Sequence, residues 1–136
     1  MRINVNEIHV RQHIKRERLV PIDKHPYVRA LNENNGQIYT DYVSKSRYQS
    51  GKESGSWTGF SMLYENIKRN GFDFISYHPL VVKRIGDKWV SVGGKHRMCM
   101  IRQIYGPNAQ IEVVDHKIVN VFVEESWFTR FKKMFM

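Results

Sequence analysis

The stretch Val90-Ser91-Val92-Gly93-Gly94-Lys95-His96-Arg97-Met98 constrains this chain more than any other. An apolar run ends in two glycines, three basic side chains follow, and a helical apolar spacing then takes over. That is the order of a strand, a tight turn and a helix. Glycine has no Cβ, so backbone N–H groups at such a turn can come close to a ligand. A helix start leaves its first amides unpaired and carries partial positive charge, which favours anions. Arg97 can give two hydrogen bonds to one phosphate, and Lys95 adds a mobile point charge. His96 can donate from either nitrogen or exchange a proton near neutral pH. Gly93, Gly94, Lys95, His96 and Arg97 are therefore the candidate phosphate-binding residues. The plainer alternative is a Gly turn followed by exposed basic residues, which the helix dipole opposes unless an anion binds.

The rest of the composition agrees with an anionic partner. The chain has 136 residues, with 22 Lys and Arg against 13 Asp and Glu, for a net charge of +9. That balance favours nucleotides, nucleic acid or an acidic surface without choosing among them. At this length, residues 1–136 are expected to form a single domain with a real core. No apolar run approaches ~18 residues, so no membrane span is expected. The N-terminus has no apolar signal core, and Cys99 is the only cysteine, which rules out an internal disulfide or a cysteine zinc site. A cytoplasmic protein is the expectation.

Along the chain, Arg2 to Val10 alternates like a half-buried first strand. His13 to Arg18 reads as a basic helix or loop, and Val20 to Tyr27 holds two prolines that forbid a long regular element. Residues 28–57 read as an irregular insert, with Ile38 to Val43 a short helix or strand and Ser44 to Ser56 a surface loop. A helix capped at Thr58 or Ser61 carries Phe60, Leu63, Tyr64 and Ile67 on one face and stops at Asn70-Gly71. Leu80 to Ile85 and Lys88 to Val92 are strands joined by a Gly86-Asp87 turn. A second helix runs from about His96 to Tyr105 and closes at Gly106-Pro107. Gln110 to Val114 and Lys117 to Val123 read as strands, and Ser126 to Met136 as an aromatic-faced helix. That last helix either closes the core or docks on a partner or an anionic membrane.

The order helix, Asn70-Gly71, strand, turn, strand, Gly93-Gly94-Lys95-His96-Arg97, helix resembles the ParB/sulfiredoxin superfamily over residues 58–114, and loosely over 1–30. The resemblance implies a small α/β (α+β) fold, a mixed sheet with flanking helices, whose Gly-rich turn and His-Arg pair hold nucleotide phosphates. The superfamily includes a sulfinic-acid-reducing enzyme, free-serine kinases, nucleases and CTP-dependent DNA-segregation clamps, so fold alone does not fix activity. Sulfiredoxins carry a cysteine where this chain has Lys95, which speaks against thiol chemistry. The clamps carry a further Glu-Asn-x-x-Arg segment and a helix-turn-helix domain, and a complete clamp is not expected here.

The expectation is thus a nucleoside-phosphate-binding protein, a kinase-like phosphotransferase or nucleotide hydrolase acting with ATP, ADP or CTP and an unknown acceptor. Phosphoryl transfer also needs Mg²⁺ and often a carboxylate that orients the nucleophile. Asp23 and Glu65 are the candidate acids, with His96 as a candidate proton carrier. Each acid has a plainer reading, a turn cap for Asp23 and a solvated helix face for Glu65. The histidines show no metal-ligand spacing, so no protein-held metal is expected and Mg²⁺ would come with the phosphates. The competing expectation is a DNA- or RNA-binding protein or nuclease. It would use Arg11, Lys15, Arg16, Arg18, Lys45, Arg47 and Lys52 on phosphates, with Tyr42 and Tyr48 stacking on bases.

Overall fold

A computed structural model describes residues 1–14, 16–49, 55–73 and 79–117, with backbone alone at 47–49. The described chain is mixed α/β, as expected from sequence. It opens with β1 (Arg2–Asn4), a single 3₁₀ turn (Val5–Glu7), and β2 (Ile8–Ile14), which folds back antiparallel as β3 (Arg16–Pro21). The expected first strand is therefore two strands. Asn4 breaks it by accepting the Asn6 N–H at 2.8 Å, a local bond that competes with a ladder.

His13 to Arg18, read as a helix or loop, lies in the β2–β3 hairpin. The register pairs Arg11 with Leu19, Gln12 with Arg18 and His13 with Glu17. Cross-strand partners satisfy the basic residues: Arg11 Nε donates to Glu17 Oε1 at 2.6 Å, and Arg18 Nη2 to Gln12 Oε1.

Residues 28–57, expected to be irregular, instead carry two helices, α1 (Pro26–Glu33) and α2 (Gly36–Gln49). His25 caps α1, Pro26 supplies the first-turn φ, and Asn34 ends it at φ +47. In α2, Tyr39, Tyr42, Val43 and Ser46 fall at helical spacing and are all buried. The many Ser, Lys and Gln residues between them hid that stripe. The helix reaches Gln49, into what read as the Ser44–Ser56 loop.

The third helix, α3 (Trp57–Asn70), starts one residue before the first expected cap, because Ser56 Oγ accepts the Gly59 N–H at 3.1 Å. Next come β4 (Val81–Ile85), the Gly86-Asp87 turn and β5 (Lys88–Gly93), paired as expected. Then come α4 (Lys95–Tyr105), β6 (Gln110–Glu112) and β7 (Val114–Asp115). The strand expected over Gln110 to Val114 is split: β6 joins β1, while β7 joins β4. Residues 118–136, and with them the expected final strand and aromatic helix, lie outside the described residues.

The main sheet runs β3-β2-β5-β4-β7, with β2 parallel to β5 through Ile8↔Trp89 and His9↔Val90. Helices α1 and α2 pack on each other, α4 packs on α1 and α3, and α2 reaches β2. The core between sheet and helices includes Ile8, Val10, Val82, Tyr27, Met98 and Ile101, each about 0–1% exposed. Full burial of such side chains is worth roughly 1.5–3 kcal/mol apiece before entropy is counted. No helix among the described residues is long and apolar enough to cross a membrane.

Candidate anion site at the start of α4

The central strand β5 delivers the chain to Gly94, which caps α4 in the left-handed region at φ +87. An added Cβ there would lie 2.6 Å from Leu80 Cδ2 and 3.0 Å from Arg97 Nη2. Glycine is therefore required twice, for the backbone conformation and for the space. No side chain caps α4, and Lys95, His96 and Arg97 fill its first turn. A helix start of this kind sets the positive end of the helix dipole beside three basic side chains, a combination that favours an oxyanion. The half-buried Arg97 folds its guanidinium back over the Gly94 backbone.

Lys95 and His96 turn inward. Past His9, β2 is no longer paired with β5, and side chains meet its backbone groups instead. Lys95 Nζ donates to the Arg11 carbonyl at 3.1 Å and sits 5.4 Å from the Tyr27 ring centre, within cation–π range. Tyr42 Oη accepts the His13 N–H at 3.0 Å. Arg11 Nη1 in turn donates to the Ser91 carbonyl at 3.2 Å, tying β2 to the strand that carries the turn. The His96 ring stands edge-on to Tyr27 and Phe60, with centroids 4.6 and 5.4 Å away. Behind them, Tyr39 stacks on both Tyr27 and Phe60. The start of α4 thus rests on an aromatic wall built by α1, α2 and α3.

His25 completes that wall. It is wholly buried, Nδ1 accepts the Tyr27 N–H at 3.1 Å, and Nε2 lies 3.2 Å from Tyr42 Oη. Burial first, then the charges of Lys95 and His96, hold its pKa well below the ordinary 6.5, so the ring is neutral.

Of the candidate acids, Asp23 is half-buried on the 3₁₀ turn Ile22–Lys24, which packs against both α1 and α4. Glu65 is exposed on α3, where it lines an open groove of about 400 Å³ with Ser61, Met62, Asn66, Arg69 and Asn70. None of the turn residues lines that groove. A second cleft of about 240 Å³, between α2 and the start of α3, is lined by Tyr39, Val43, Ser44 and Trp57 among others. Among the described residues, no three His, Cys, Asp or Glu side chains converge as a metal cluster.

Reading the sequence alone singled out the turn and missed its support: Arg11, Tyr27, Tyr42 and the capping role of His25. One signal was legible, since a histidine placed directly before Pro-Tyr suits a helix cap with proline at the first position. No family model, no curated protein and no solved structure matches this chain.

Proposed function

We propose that this chain binds a nucleoside polyphosphate at the start of α4, the phosphates lying on the first-turn amides and Arg97. One observation carries the reading. An eleven-residue helix opens on a left-handed glycine with no side-chain cap and with three basic residues in its first turn. The likeness of Gly93-Gly94-Lys95-His96-Arg97 and its flanking elements to the ParB/sulfiredoxin superfamily supports it. Lys95 and His96 serve first to hold the turn against the aromatic wall, and Arg97 is the side chain best placed for phosphate.

Kinase-like phosphotransfer or nucleotide hydrolysis extends this reading, with Asp23 favoured over Glu65 as the acid that orients a nucleophile. Asp23 stands on an element packed against α4, whereas Glu65 is exposed on the groove-lining side of α3. Mg²⁺ would travel with the nucleotide and neutralise phosphate charge.

Nucleic-acid binding remains a second reading, on a separate observation. The β2–β3 hairpin continues past the level at which β5 ends, at about 3.4 Å per residue, and carries the exposed Arg16 and Arg18 on its outer strand. Thermal unfolding separates the two readings. Wild type and Arg97→Ala are compared with ATP, ADP, CTP and a short DNA duplex, at low and moderate salt. The nucleotide reading expects one nucleotide to raise the wild-type midpoint by mass action and to leave the variant unmoved. Stabilisation by DNA alone, abolished by moderate salt, would replace it with the second reading.

A further inference from the structure

His25 touches Tyr27 of α1 and Tyr42 of α2, two residues that support the turn, yet the binding scheme gives it no contact with ligand. Its Nδ1 accepts from the Tyr27 N–H, so the single proton of the neutral ring sits on Nε2, facing Tyr42 Oη. Tyr42 is the residue that holds the His13 N–H of β2. Tyr27 is the ring against which both Lys95 and His96 rest. The Arg11 backbone, which holds Lys95 Nζ, also forms a hydrogen bond that favours a proton on His25.

We propose that His25 is a positioning residue for the anion site, holding the start of α4 in its binding geometry only while its ring is neutral. The inference rests on the phosphate reading of that turn. A second proton would fall on Nδ1, opposite the Tyr27 N–H, so two donors would face each other and the α1 cap would fail. The new charge would also be opposed electrostatically by Lys95 and His96 from α4 and by His13 from β2, and the backbone hydrogen bond to Arg11 offsets only part of that opposition. Tyr42 from α2 and Tyr27 from α1 offer the ring no negative charge, and on its own segment Asp23 and Lys24 offset each other in formal charge. Lys95 would be driven from the Arg11 carbonyl, and Tyr27 would shift beneath His96. Simple attraction between an imidazolium and a phosphate predicts the reverse, tighter binding on protonation, so the sign of the coupling separates the two accounts.

The test follows the His25 ring of the wild-type chain by ¹⁵N NMR from pH 7.5 downward, with and without saturating inorganic pyrophosphate. Coupling between sites is reciprocal. If binding requires the neutral ring, pyrophosphate lowers the His25 midpoint by at least half a pH unit. In parallel, pyrophosphate affinity is measured for wild type and His25→Asn at pH 7.5 and at one pH unit below the His25 midpoint found without ligand, since asparagine can still accept the Tyr27 N–H but does not titrate. The expected result is a loss at the lower pH at least twofold larger in wild type than in the variant. Protonation of pyrophosphate and of His96 is common to both and cancels. A midpoint that rises on binding, or equal losses in the two proteins, overturns the role of His25 while the anion site stands. If wild type binds no pyrophosphate at either pH, the phosphate reading falls and takes this inference with it.

Discussion

Helices α3 and α4 begin in opposite ways. At α3, the Ser56 hydroxyl closes on the Gly59 N–H, and the basic residues Lys68 and Arg69 lie in the last turn, where the dipole welcomes them. At α4, a left-handed glycine offers no side-chain cap, and the basic residues crowd the first turn, where the dipole rejects them. The first start is arranged for the stability of its own helix. The second gives up a cap and a favourable charge pattern, which is intelligible if something else supplies negative charge. Local rules broken without a local gain are where function tends to reside.

The contrast breaks most sharply at glycine. Gly94→Ala must carry a side chain at φ +87 and place its Cβ 2.6 Å from Leu80. Left-handed strain and overpacking together should cost about 2–4 kcal/mol by denaturant unfolding. Gly59→Ala, within α3, meets only Ser56 Oγ at 3.4 Å. It should gain about 0.5–1 kcal/mol from reduced backbone entropy. If both substitutions destabilise alike, the start of α4 is no more specialised than the start of α3.

The start of α1 gives the next effect, one that depends on pH. His25 is neutral in the fold with its pKa lowered, while the unfolded chain takes up a proton near 6.5. Below that value the unfolded state binds more protons, so stability is complete above pH 6.5 and declines as pH falls towards the folded pKa. The slope from this one group approaches about 1.4 kcal/mol per pH unit. Chemical denaturation of wild type and His25→Asn between pH 7.5 and 5.5 checks it. The wild-type curve should fall more steeply, and parallel curves would mean that His25 does not hold its proton off.

How much of this was legible depended on whether chemistry or tertiary contact wrote the signal. The strand–Gly94–helix turn could be read because its glycines and its apolar periodicity are both local. So could the β4–β5 hairpin, fixed by Gly86-Asp87. Helix α2 was legible only as one of two options over Ile38 to Val43, because three of the four residues in its stripe of Tyr39, Tyr42, Val43 and Ser46 bear hydroxyls and the stripe is buried only once Tyr27 and Phe60 stand beside it. The β2–β3 hairpin was hidden for a related reason: Arg11, His13 and Arg18 look like a solvated run until Glu17 and Gln12 arrive across the strand. The inward turn of Lys95 was also beyond reach, since its partner is a backbone carbonyl 84 positions away in sequence.

A smaller effect separates the capped start from the open one. Ser56→Ala leaves the Gly59 N–H without its partner and should cost about 1 kcal/mol. Its pyrophosphate affinity should match wild type, because no residue of the turn depends on that cap. Loss of binding in this variant, measured by calorimetry, would show that the two helix starts are not independent.

The smallest effect changes sign with ligand. Arg97 is the third residue of α4, where a cation opposes the dipole by about 0.3–1 kcal/mol. Arg97→Gln keeps most of the stem that lies over Gly94 and removes the charge. Without ligand the variant should therefore be as stable as wild type or a few tenths of a kcal/mol more stable. With pyrophosphate at a hundred times its wild-type dissociation constant, wild type gains about 2.7 kcal/mol by mass action. The variant, lacking a charged donor worth about 1.5–3 kcal/mol, should gain much less and become the less stable of the two. Denaturant unfolding of both proteins, with and without pyrophosphate, reads all four values. A crossing of the order places the cost of the open start and its use on the same residue. Lines that stay parallel would assign Arg97 to the fold alone and leave the first-turn amides as the only anion donors at the start of α4.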